Sequence, residues 1–354
     1  MKIGILTYHY AHNYGAVLQC YALQNFLNSL GHTVRVIGYE NTNICKDYYV
    51  FDWHRFKIKN PFTLIKRITH ELSFYHIRKG RYNAFNDFIN NYLSVCPVQE
   101  IYDAPFDLII VGSDQVWNYN LTKGFDSYYW GEFAHPNKTK LATYAVSMQD
   151  TWPREMDSII KKRLSNFKHI SVREESLACR LRKMMPDIDV ATVVDPTLLF
   201  SSNEWDRIVV KPHINEPYLL LYQVDVNPIA EDSAKKIAKE RNLRVIHLYA
   251  QPDKPHSSEV AKTSPQEFVG LFKYASFVVC SSFHGTVFSI LYKKSFYTVR
   301  VPGKSRRVET LLQIYGLDKY ILSAPVDTIK DVDYRDTLPD SSEQSMIYLK
   351  NITG

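Results

Sequence analysis

The sequence feature that most constrains the fold of this chain lies at residues 277–291. There an apolar run is interrupted by small residues and is followed by apolar residues at helical spacing. The apolar run 277–280 predicts the strand, and the apolar spacing that follows two serines predicts the helix. The first backbone N–H groups of a helix lack partners and carry the positive end of its dipole, so they bind anions. His284 stands at this helix start, and histidine changes charge near neutral pH. We predict a phosphate-binding turn at Ser282, His284 and Gly285; the alternative is a capping Ser282 beside a packed histidine.

Residues 2–38 alternate strand, helix and strand in the order of a βαβ unit. Ligands of doubly wound sheets bind at the carboxyl ends of strands, and residues 9–16 occupy that position. Asn13, Tyr14 and Gly15 are therefore predicted to line a ligand; alternatively, Asn13 caps the helix and Gly15 permits the turn. The loop lacks G-x-G-x-x-G, so a dinucleotide is not indicated.

A second polar cluster, residues 112–118, follows the buried strand 106–111 and occupies the same kind of position. It contains Ser113, Asp114 and Trp117. Asp114 either accepts a proton or holds a sugar hydroxyl, or it caps a short helix.

Strand and helix alternation begins again near Lys168, and 354 residues are too many for one ordinary core. The expected fold class is α/β and GT-B-like, with two Rossmann-like doubly wound domains facing across a cleft. The predicted parts are an N-terminal domain at 1–167, a C-terminal domain at 168–330, and a tail at 331–354 that forms a helix returning to the first domain.

Two arginines add to the predicted anion site. Arg173 ends the first strand of the predicted second domain, so it is expected to face the same cleft as His284. The alternative is a salt bridge from Arg173 to Glu174 or Asp195. Arg307 precedes another predicted helix and can point at an anion near that helix start.

Composition limits the function classes. A formal net charge of +6 suits an acidic small molecule or an anionic surface, and no nucleic-acid module is visible. The first residues predict a strand and not a signal peptide, and no apolar run is long enough to cross a bilayer, so a cytoplasmic location is expected. Five scattered cysteines without a C-x-x-C pair favour neither disulfides nor zinc and are interpreted as buried apolar residues.

A basic, aromatic and largely helical insertion is predicted near residues 44–100. Such a segment can lie on an anionic membrane surface or meet a phosphorylated lipid carrier. The favoured interpretation is a solvated basic face over ordinary core aromatics.

Five stretches together resemble the polysaccharide pyruvyl transferase family. They are Asn13-Tyr14-Gly15-Ala16-Val17-Leu18-Gln19, Gly112-Ser113-Asp114-Gln115-Val116-Trp117-Asn118, Val172-Arg173-Glu174-Glu175-Ser176, Asp195-Pro196-Thr197 and Ser282-Phe283-His284-Gly285-Thr286. The resemblance implies a GT-B-like fold that binds phosphoenolpyruvate and transfers its pyruvyl group to a sugar, usually as a ketal bridging two hydroxyls.

The resemblance also implies roles for single residues. The family's donor-binding arginine matches Arg173, and its histidine before the glycine matches His284. Some members carry an arginine two residues before that histidine, where this chain has Ser282, so either Arg306, Arg307 or Lys293 substitutes for it or the backbone N–H groups of the turn supply more of the phosphate contacts.

The resulting hypothesis has a donor side and an acceptor side. His284 and Asp114 are the catalytic candidates. The donor side comprises Arg173, Ser282, His284, Gly285 and Arg307, and the acceptor side Asn13, Tyr14, Gly15, Ser113, Asp114 and Trp117. No metal ligand set is predicted, and Mg²⁺ is compatible with the scattered aspartates but not indicated. The acceptor sugar is either free of lipid or linked to polyprenyl diphosphate, with peripheral contact at the inner membrane face in the second case.

Two other functions stay open at this stage. A nucleotide-sugar glycosyltransferase can use the same two-domain fold. A non-catalytic sugar- or carrier-binding protein is suggested by the basic aromatic segment and by Ser282.

Overall fold

A computed structural model describes residues 1–50, 60–104, 106–133, 139–148, 152–251, 260–301, 305–334 and 342–354. The chain divides into two compact units. Unit 1 comprises Met1–Asp47, Ile89–Phe200 and Asp340–Gly354, and unit 2 comprises Tyr48–Phe88 and Ser201–Pro339.

Unit 1 is built on a parallel sheet. Its strands are β1 (Lys2–Leu6), β2 (Thr33–Gly38), β3 (Val95–Pro97), β4 (Leu108–Val111), β5 (Lys140–Thr143), β6 (Ile170–Val172) and β7 (Val190–Thr192). The first five pair in the order β3-β2-β1-β4-β5, and β6 pairs with β7. All four residues of β4 are buried, as the continuous apolar run of a parallel strand covered on both faces predicts.

Helices flank the strands of unit 1. They are α1 (Tyr14–Ser29), α2 (Thr42–Cys45), the end of α3 (Pro61–Tyr92), α4 (Glu100–Asp103), α5 (Tyr119–Thr122), α6 (Asp157–Leu164), α7 (Glu175–Met184) and α13 (Glu343–Thr353). In α13, Ser345 Oγ accepts a hydrogen bond from Val194 N at 2.9 Å and Tyr348 Oη donates to Thr143 O at 3.0 Å. These bonds attach the last helix to the sheet of unit 1.

Unit 2 contains the second parallel sheet. Its strands are β8 (Tyr218–Gln223), β9 (Arg244–Tyr249), β10 (Phe277–Cys280), β11 (Phe296–Val299) and β12 (Ile321–Leu322), in the order β12-β11-β10-β8-β9. Its helices are most of α3, then α8 (Ser202–Trp205), α9 (Pro228–Arg241), α10 (Pro265–Tyr274), α11 (Phe283–Leu291) and α12 (Arg306–Ile314). The expected α/β class with a doubly wound parallel sheet in each of two units is confirmed.

The boundary between the units differs from the predicted one near Lys168. Strand β6 does not open a new sheet, because it continues the sheet of unit 1 beside β5. Thr143 N donates to His169 O at 2.9 Å and Arg173 N donates to Val146 O at 3.0 Å. Unit 1 therefore extends to Phe200 and includes Arg173.

Helix α3 agrees with the favoured interpretation of the basic segment only in part, because Lys66, Arg67 and Lys79 are exposed but other residues depart from it. Arg78 and Arg81 are buried, whereas Phe62 and Tyr75 are exposed. Arg78 forms an ion pair with Glu71, and Arg81 Nη1 donates to Tyr249 O at 3.0 Å. The part of the predicted insertion at residues 51–59 lies outside the described residues.

The cysteines are free thiols in the structure. Cys20, Cys45, Cys96 and Cys280 are buried, as predicted, and Cys179 is exposed on α7. No described helix is long and apolar enough to span a membrane.

Candidate functional site

The order of strands in unit 1 places a crevice between β1 and β4. In the sheet β1 has β2 as one neighbour and β4 as the other. The chain runs from β1 toward β2, away from β4, so the loops after β1 and β4 diverge between these two strands. These are the two loops that the sequence singles out, residues 9–16 and 112–118.

Hydrogen bonds fasten these two loops to each other. Thr7 Oγ1 donates to Ser113 O at 2.8 Å, and Tyr8 Oη donates to Gln115 O at 3.0 Å. Gln19 Nε2 in turn donates to Thr7 Oγ1 at 3.0 Å. The crevice therefore has a rigid floor, as a binding site needs in order to hold a ligand in one orientation.

Gly112 is required where this floor is tightest. Its φ is +108°, and a Cβ at this position would come within 2.4 Å of Tyr144 O. A side chain is excluded there both by backbone conformation and by space.

The first loop ends at the α1 cap. Asn13 Oδ1 accepts hydrogen bonds from Gly15 N at 2.9 Å and Ala16 N at 3.4 Å, which is the capping role considered as an alternative. Gly15 is the second residue of α1, so the proposed need for a turn glycine is wrong. Of the three residues predicted to line a ligand in this loop, Tyr14 and Gly15 are buried. Asn13 is half-buried and can still reach a ligand.

Two of the residues predicted to contact the acceptor are core residues. Trp117 is 1% exposed; its Nε1 donates to Tyr129 O at 2.9 Å, and its ring stacks on Trp130 with centroids 4.9 Å apart. Ser113 is fully buried, and its Oγ donates to Ala145 O at 2.9 Å. Both side chains are committed to holding the loop after β4 and do not present a surface to a sugar.

Asp114 lies half-buried at the crevice with φ of +77°. Its Oδ1 accepts from Gln115 N at 2.8 Å, and its carbonyl accepts from Ser147 N at 2.9 Å. The carboxylate thus caps a turn, which corresponds to the structural alternative, and retains the exposure that a contact with a hydroxyl requires.

Arg173 projects from the end of β6 into a buried group of carboxylates. Its Nη1 forms an ion pair with Asp195 at the end of β7, and its Nε lies 3.6 Å from Glu174 Oε1. The salt bridges that sequence analysis considered as the alternative are therefore both present. Arg173 lies in unit 1, so the prediction that it belongs to the same domain as His284 is wrong.

The carboxylates around Arg173 are themselves held in place. Asp195 Oδ1 accepts from Thr197 N at 3.0 Å and from Thr197 Oγ1 at 2.6 Å. Ser147 Oγ donates to Glu174 Oε1 at 2.6 Å. Sequence analysis assigned no role to Ser147, although its position directly after a strand is the signal that identified the other loops.

The electrostatics of this group keep Arg173 charged. Burial alone would lower the pKa of the guanidinium, but the nearby carboxylates, chiefly Asp195, outweigh burial and raise it. Asp114 contributes to the same effect, so the structure brings Asp114 and Arg173 into one electrostatic environment in unit 1.

His9 is a further titratable residue beside the crevice, and sequence analysis did not select it from its loop. It is 2% exposed, and burial lowers its pKa to about 4 although a hydrogen bond to Thr7 O opposes this shift. Because a carbonyl only accepts, the Nδ1 contact to Thr7 O at 3.3 Å places the ring proton on Nδ1. Nε2 of the neutral imidazole then carries a lone pair and can act as a base.

The strand order of unit 2 gives a second crevice of the same kind, between β8 and β10. The loops after these strands lead into α9 and α11, so the amino ends of both helices flank it. Val224 N donates to Ser281 Oγ at 3.2 Å, which joins the two loops. The predicted sequence of strand, turn and helix at residues 277–291 is confirmed.

Ser282 begins α11 as its N-cap. Its Oγ accepts from Gly285 N at 2.9 Å, and its carbonyl accepts from Thr286 N at 3.1 Å. A Cβ on Gly285 would lie 2.8 Å from Ser282 Oγ and 3.0 Å from the Tyr222 ring, so glycine permits this close packing. The backbone N–H groups of the first turn that do not donate to Ser282 are the groups that bind anions at a helix start.

Two predicted donor-side residues meet at this helix start. The His284 ring packs edge-on against Phe283 with centroids 5.1 Å apart, and the Arg307 guanidinium lies 5.8 Å from the centroid of the same Phe283 ring. Unit 2 therefore combines a helix N-terminus, an imidazole and a guanidinium around Phe283, which is a set suited to a phosphate or a carboxylate.

The described residues contain no group of three or more His, Cys, Asp or Glu side chains that could hold a metal ion.

Two doubly wound units, each with polar residues at its crevice, place the chain among the α/β proteins whose ligands bind at the carboxyl ends of strands. A family model described as polysaccharide pyruvyl transferase matches residues 13–301. The chain therefore belongs to the polysaccharide pyruvyl transferase family and is a transferase.

Solved structures resemble the chain only distantly. UDP-GlcNAc 2-epimerase from Methanocaldococcus jannaschii shares 10% identity over 99% of this chain and 100% of that one, with a TM-score of 0.49. E. coli heptosyltransferase WaaC with ADP shares 11% over 98% and 99%, with a TM-score of 0.43. A functionally uncharacterized protein, KP1_0663, from Klebsiella pneumoniae subsp. pneumoniae NTUH-K2044 shares 12% over 71% and 88%, with a TM-score of 0.41. No curated protein matches the chain.

Proposed function

We propose that the protein transfers the pyruvyl group of phosphoenolpyruvate to a sugar of a surface polysaccharide or its lipid-linked precursor, forming a pyruvate ketal. The observation that carries this proposal is the family match over residues 13–301, which includes the His284 helix start of unit 2. Phosphoenolpyruvate has a phosphate and a carboxylate, and cationic side chains and helix N-termini are the partners that such groups need.

In this proposal the donor phosphate lies at the amino end of α11. The N–H groups of the first turn bind its oxygens, while Ser282 and Gly285 shape the turn. Arg307 balances the charge of the anion, and His284 donates a proton to the phosphate as it leaves. These contacts replace the arginine that some family members carry at the position of Ser282.

The proposed reaction consumes one proton at carbon and one at phosphate, and the two sugar hydroxyls supply both. A proton adds to the methylene carbon of phosphoenolpyruvate, and the first sugar hydroxyl adds to C2 as it loses its own proton. The bond from C2 to the phosphate oxygen then breaks and phosphate leaves. The second hydroxyl adds to C2 and loses its proton, which gives the ketal, so the two hydroxyl protons end on the methyl group and on phosphate.

The acceptor is proposed to bind at the crevice of unit 1. Asn13 and Asp114 are the predicted acceptor-side residues that remain partly exposed. Asp114 is proposed to accept a hydroxyl proton. Arg173 is proposed to hold an anionic group of a substrate, in an orientation fixed by Asp195. The acceptor class includes a polyprenyl-diphosphate-linked sugar, for which the cytoplasmic membrane face is the proposed location, and no metal is assigned to the reaction.

Thermal unfolding with phosphoenolpyruvate tests the donor. A ligand that binds the native state alone stabilises it by about 2.7 kcal/mol at a hundred times its Kd. We expect phosphoenolpyruvate to raise the Tm of the wild type and of the control His213→Ala, in which an exposed histidine of unit 2 is removed. The rise should be lost in His284→Ala.

The same measurement separates the alternatives. A Tm rise with a nucleotide sugar but not with phosphoenolpyruvate would favour a glycosyltransferase and overturn the proposal. If phosphoenolpyruvate raised the Tm of the wild type and of His284→Ala equally, the donor would not bind at the amino end of α11. Arg173→Ala is tested beside them: loss of the donor-induced rise assigns Arg173 to the donor, and its retention assigns Arg173 to the acceptor or to folding.

A further inference from the structure

The first three turns of α3 extend beyond the buried part of that helix. No residue from Pro61 to His70 is buried, and the first buried side chain of α3 is Glu71. Ten helical residues correspond to about 15 Å of helix. This part of α3 is therefore not stabilised by burial of its side chains in unit 2.

The exposed part of α3 carries a continuous apolar face. Its members, named here the α3 stripe, are Phe62, Ile65, Ile68, Leu72 and Tyr75. Phe62 is 83% exposed, Ile65 59% and Leu72 68%. The last four residues follow the spacing i, i+3, i+7 and i+10, which puts them on one side of a helix.

The stripe is not the face by which α3 packs in its own unit. The buried residues Arg78, Arg81, Phe85 and Phe88 repeat at helical spacing on another face. At about 100° per residue the mean directions of the two faces lie roughly 160° apart around the helix axis. The α3 stripe is thus an apolar surface left over after the helix has packed.

Cations surround the stripe. Lys66, Arg67 and Lys79 are exposed, and two exposed histidines, His70 and His76, lie on the same stretch. Glu71 is the acid between Pro61 and Asn86; it is buried in its ion pair with Arg78, and Arg67 Nε also lies 3.8 Å from its Oε1. The exposed surface around the α3 stripe is therefore positively charged.

We propose that the α3 stripe docks on the surface of an anionic phospholipid bilayer, with α3 lying in the plane of the interface. Its apolar side chains enter the boundary between headgroups and acyl chains, while Lys66 and Lys79 contact lipid phosphates. A basic helix with an apolar face is the usual form of such an interfacial anchor.

Charge and length favour a bilayer over a second copy of the chain as the occupant. Two copies of the stripe would bring two sets of cations together without an acid to pair them. The described stripe also covers about two heptads, whereas a coiled coil is indicated by three to four. The inference stands on α3 alone and does not depend on the proposed donor or acceptor.

Vesicle flotation tests the docking surface. Purified protein is mixed with vesicles of phosphatidylcholine alone, or of equal parts phosphatidylcholine and phosphatidylglycerol. We expect binding to the anionic vesicles, weakened by salt, and about tenfold weaker binding for Phe62→Ser/Ile65→Ser/Leu72→Ser. The control Val210→Ser/Val226→Ser/Ile314→Ser removes apolar side chains that are 45–50% exposed elsewhere in unit 2, and it should bind as the wild type does.

Each contrary outcome overturns the inference. Equal binding by the stripe variant and the wild type, or no binding by a wild type whose thermal unfolding is cooperative, removes the bilayer as occupant. Equal binding to both kinds of vesicle removes the role of the cations. If the wild type is a dimer without lipid, the stripe variant is a monomer and neither binds vesicles, the α3 stripe is an interface between two copies of the chain and the inference is overturned.

Discussion

Asp195 and Arg173 form a buried ion pair between the adjacent ends of β7 and β6. Removing one partner of such a pair leaves an uncompensated charge in the interior, which typically destabilises a protein by about 3–5 kcal/mol. We expect Asp195→Ala to lower the free energy of unfolding by this amount in urea. Glu175→Ala, which breaks the exposed pair with Arg182, should change it by at most about 1 kcal/mol. Equal effects of the two variants would show that Arg173 is not held by Asp195.

His9 should make the stability depend on pH. Its pKa falls from 6.5 in the unfolded chain to about 4 in the native state, so above pH 6.5 both states are neutral and the contribution is fully present. As pH falls from 6.5 to 4, the unfolded state binds a proton and the native state does not, so stability decreases by about 3 kcal/mol. Urea unfolding across this window should show a smaller decrease for His9→Gln. The exposed His70→Gln should follow the wild type, and parallel curves for all three proteins would contradict the assignment.

Gly112 and Gly124 form a matched pair of glycines with positive φ, +108° and +129°. A Cβ on Gly124 meets nothing within 4 Å, whereas on Gly112 it meets Tyr144 O. Gly124→Ala should therefore lower the free energy of unfolding by about 1–2 kcal/mol, from backbone strain alone. Gly112→Ala adds overpacking and should lower it by about 3 kcal/mol or more, as measured by urea unfolding. Equal losses would mean that the loop after β4 relaxes to admit a side chain.

Trp117→Ala tests whether this residue belongs to the core. Loss of a buried tryptophan that stacks on Trp130 should lower the free energy of unfolding by about 3–5 kcal/mol. Tyr49→Ala, which removes an aromatic ring that is half exposed, should change it by no more than about 0.5 kcal/mol. If Trp117→Ala did not lower the free energy of unfolding, Trp117 would again be a candidate for binding the acceptor.

Local patterns predicted the elements and the positions of the loops. The strand at residues 277–280 is found as β10, and both proposed caps, Asn13 on α1 and Ser282 on α11, accept the expected backbone hydrogen bonds. These features depend on neighbouring residues alone, so periodicity and capping preferences suffice to find them.

Long-range pairing could not be predicted in the same way. A short apolar strand such as β6 carries no local sign of which sheet it joins, and this is why Arg173 was assigned to the wrong domain. Side-chain direction was equally inaccessible: Trp117 and Asp114 lie in one loop, yet the first points into the core and the second stays half-buried. Residue type alone suggests a buried phenylalanine and an exposed arginine, but Phe62 is exposed and Arg81 is buried.

The division of the chain has a consequence for its biosynthesis. Unit 1 contains β1 near the start of the chain and α13 at residues 343–353, and Tyr348 of α13 donates a hydrogen bond to Thr143 O of β5. A ribosome makes that helix after the strands β8–β12 of unit 2. Unit 1 therefore cannot be completed before unit 2 during translation, and neither unit corresponds to one uninterrupted stretch of messenger RNA.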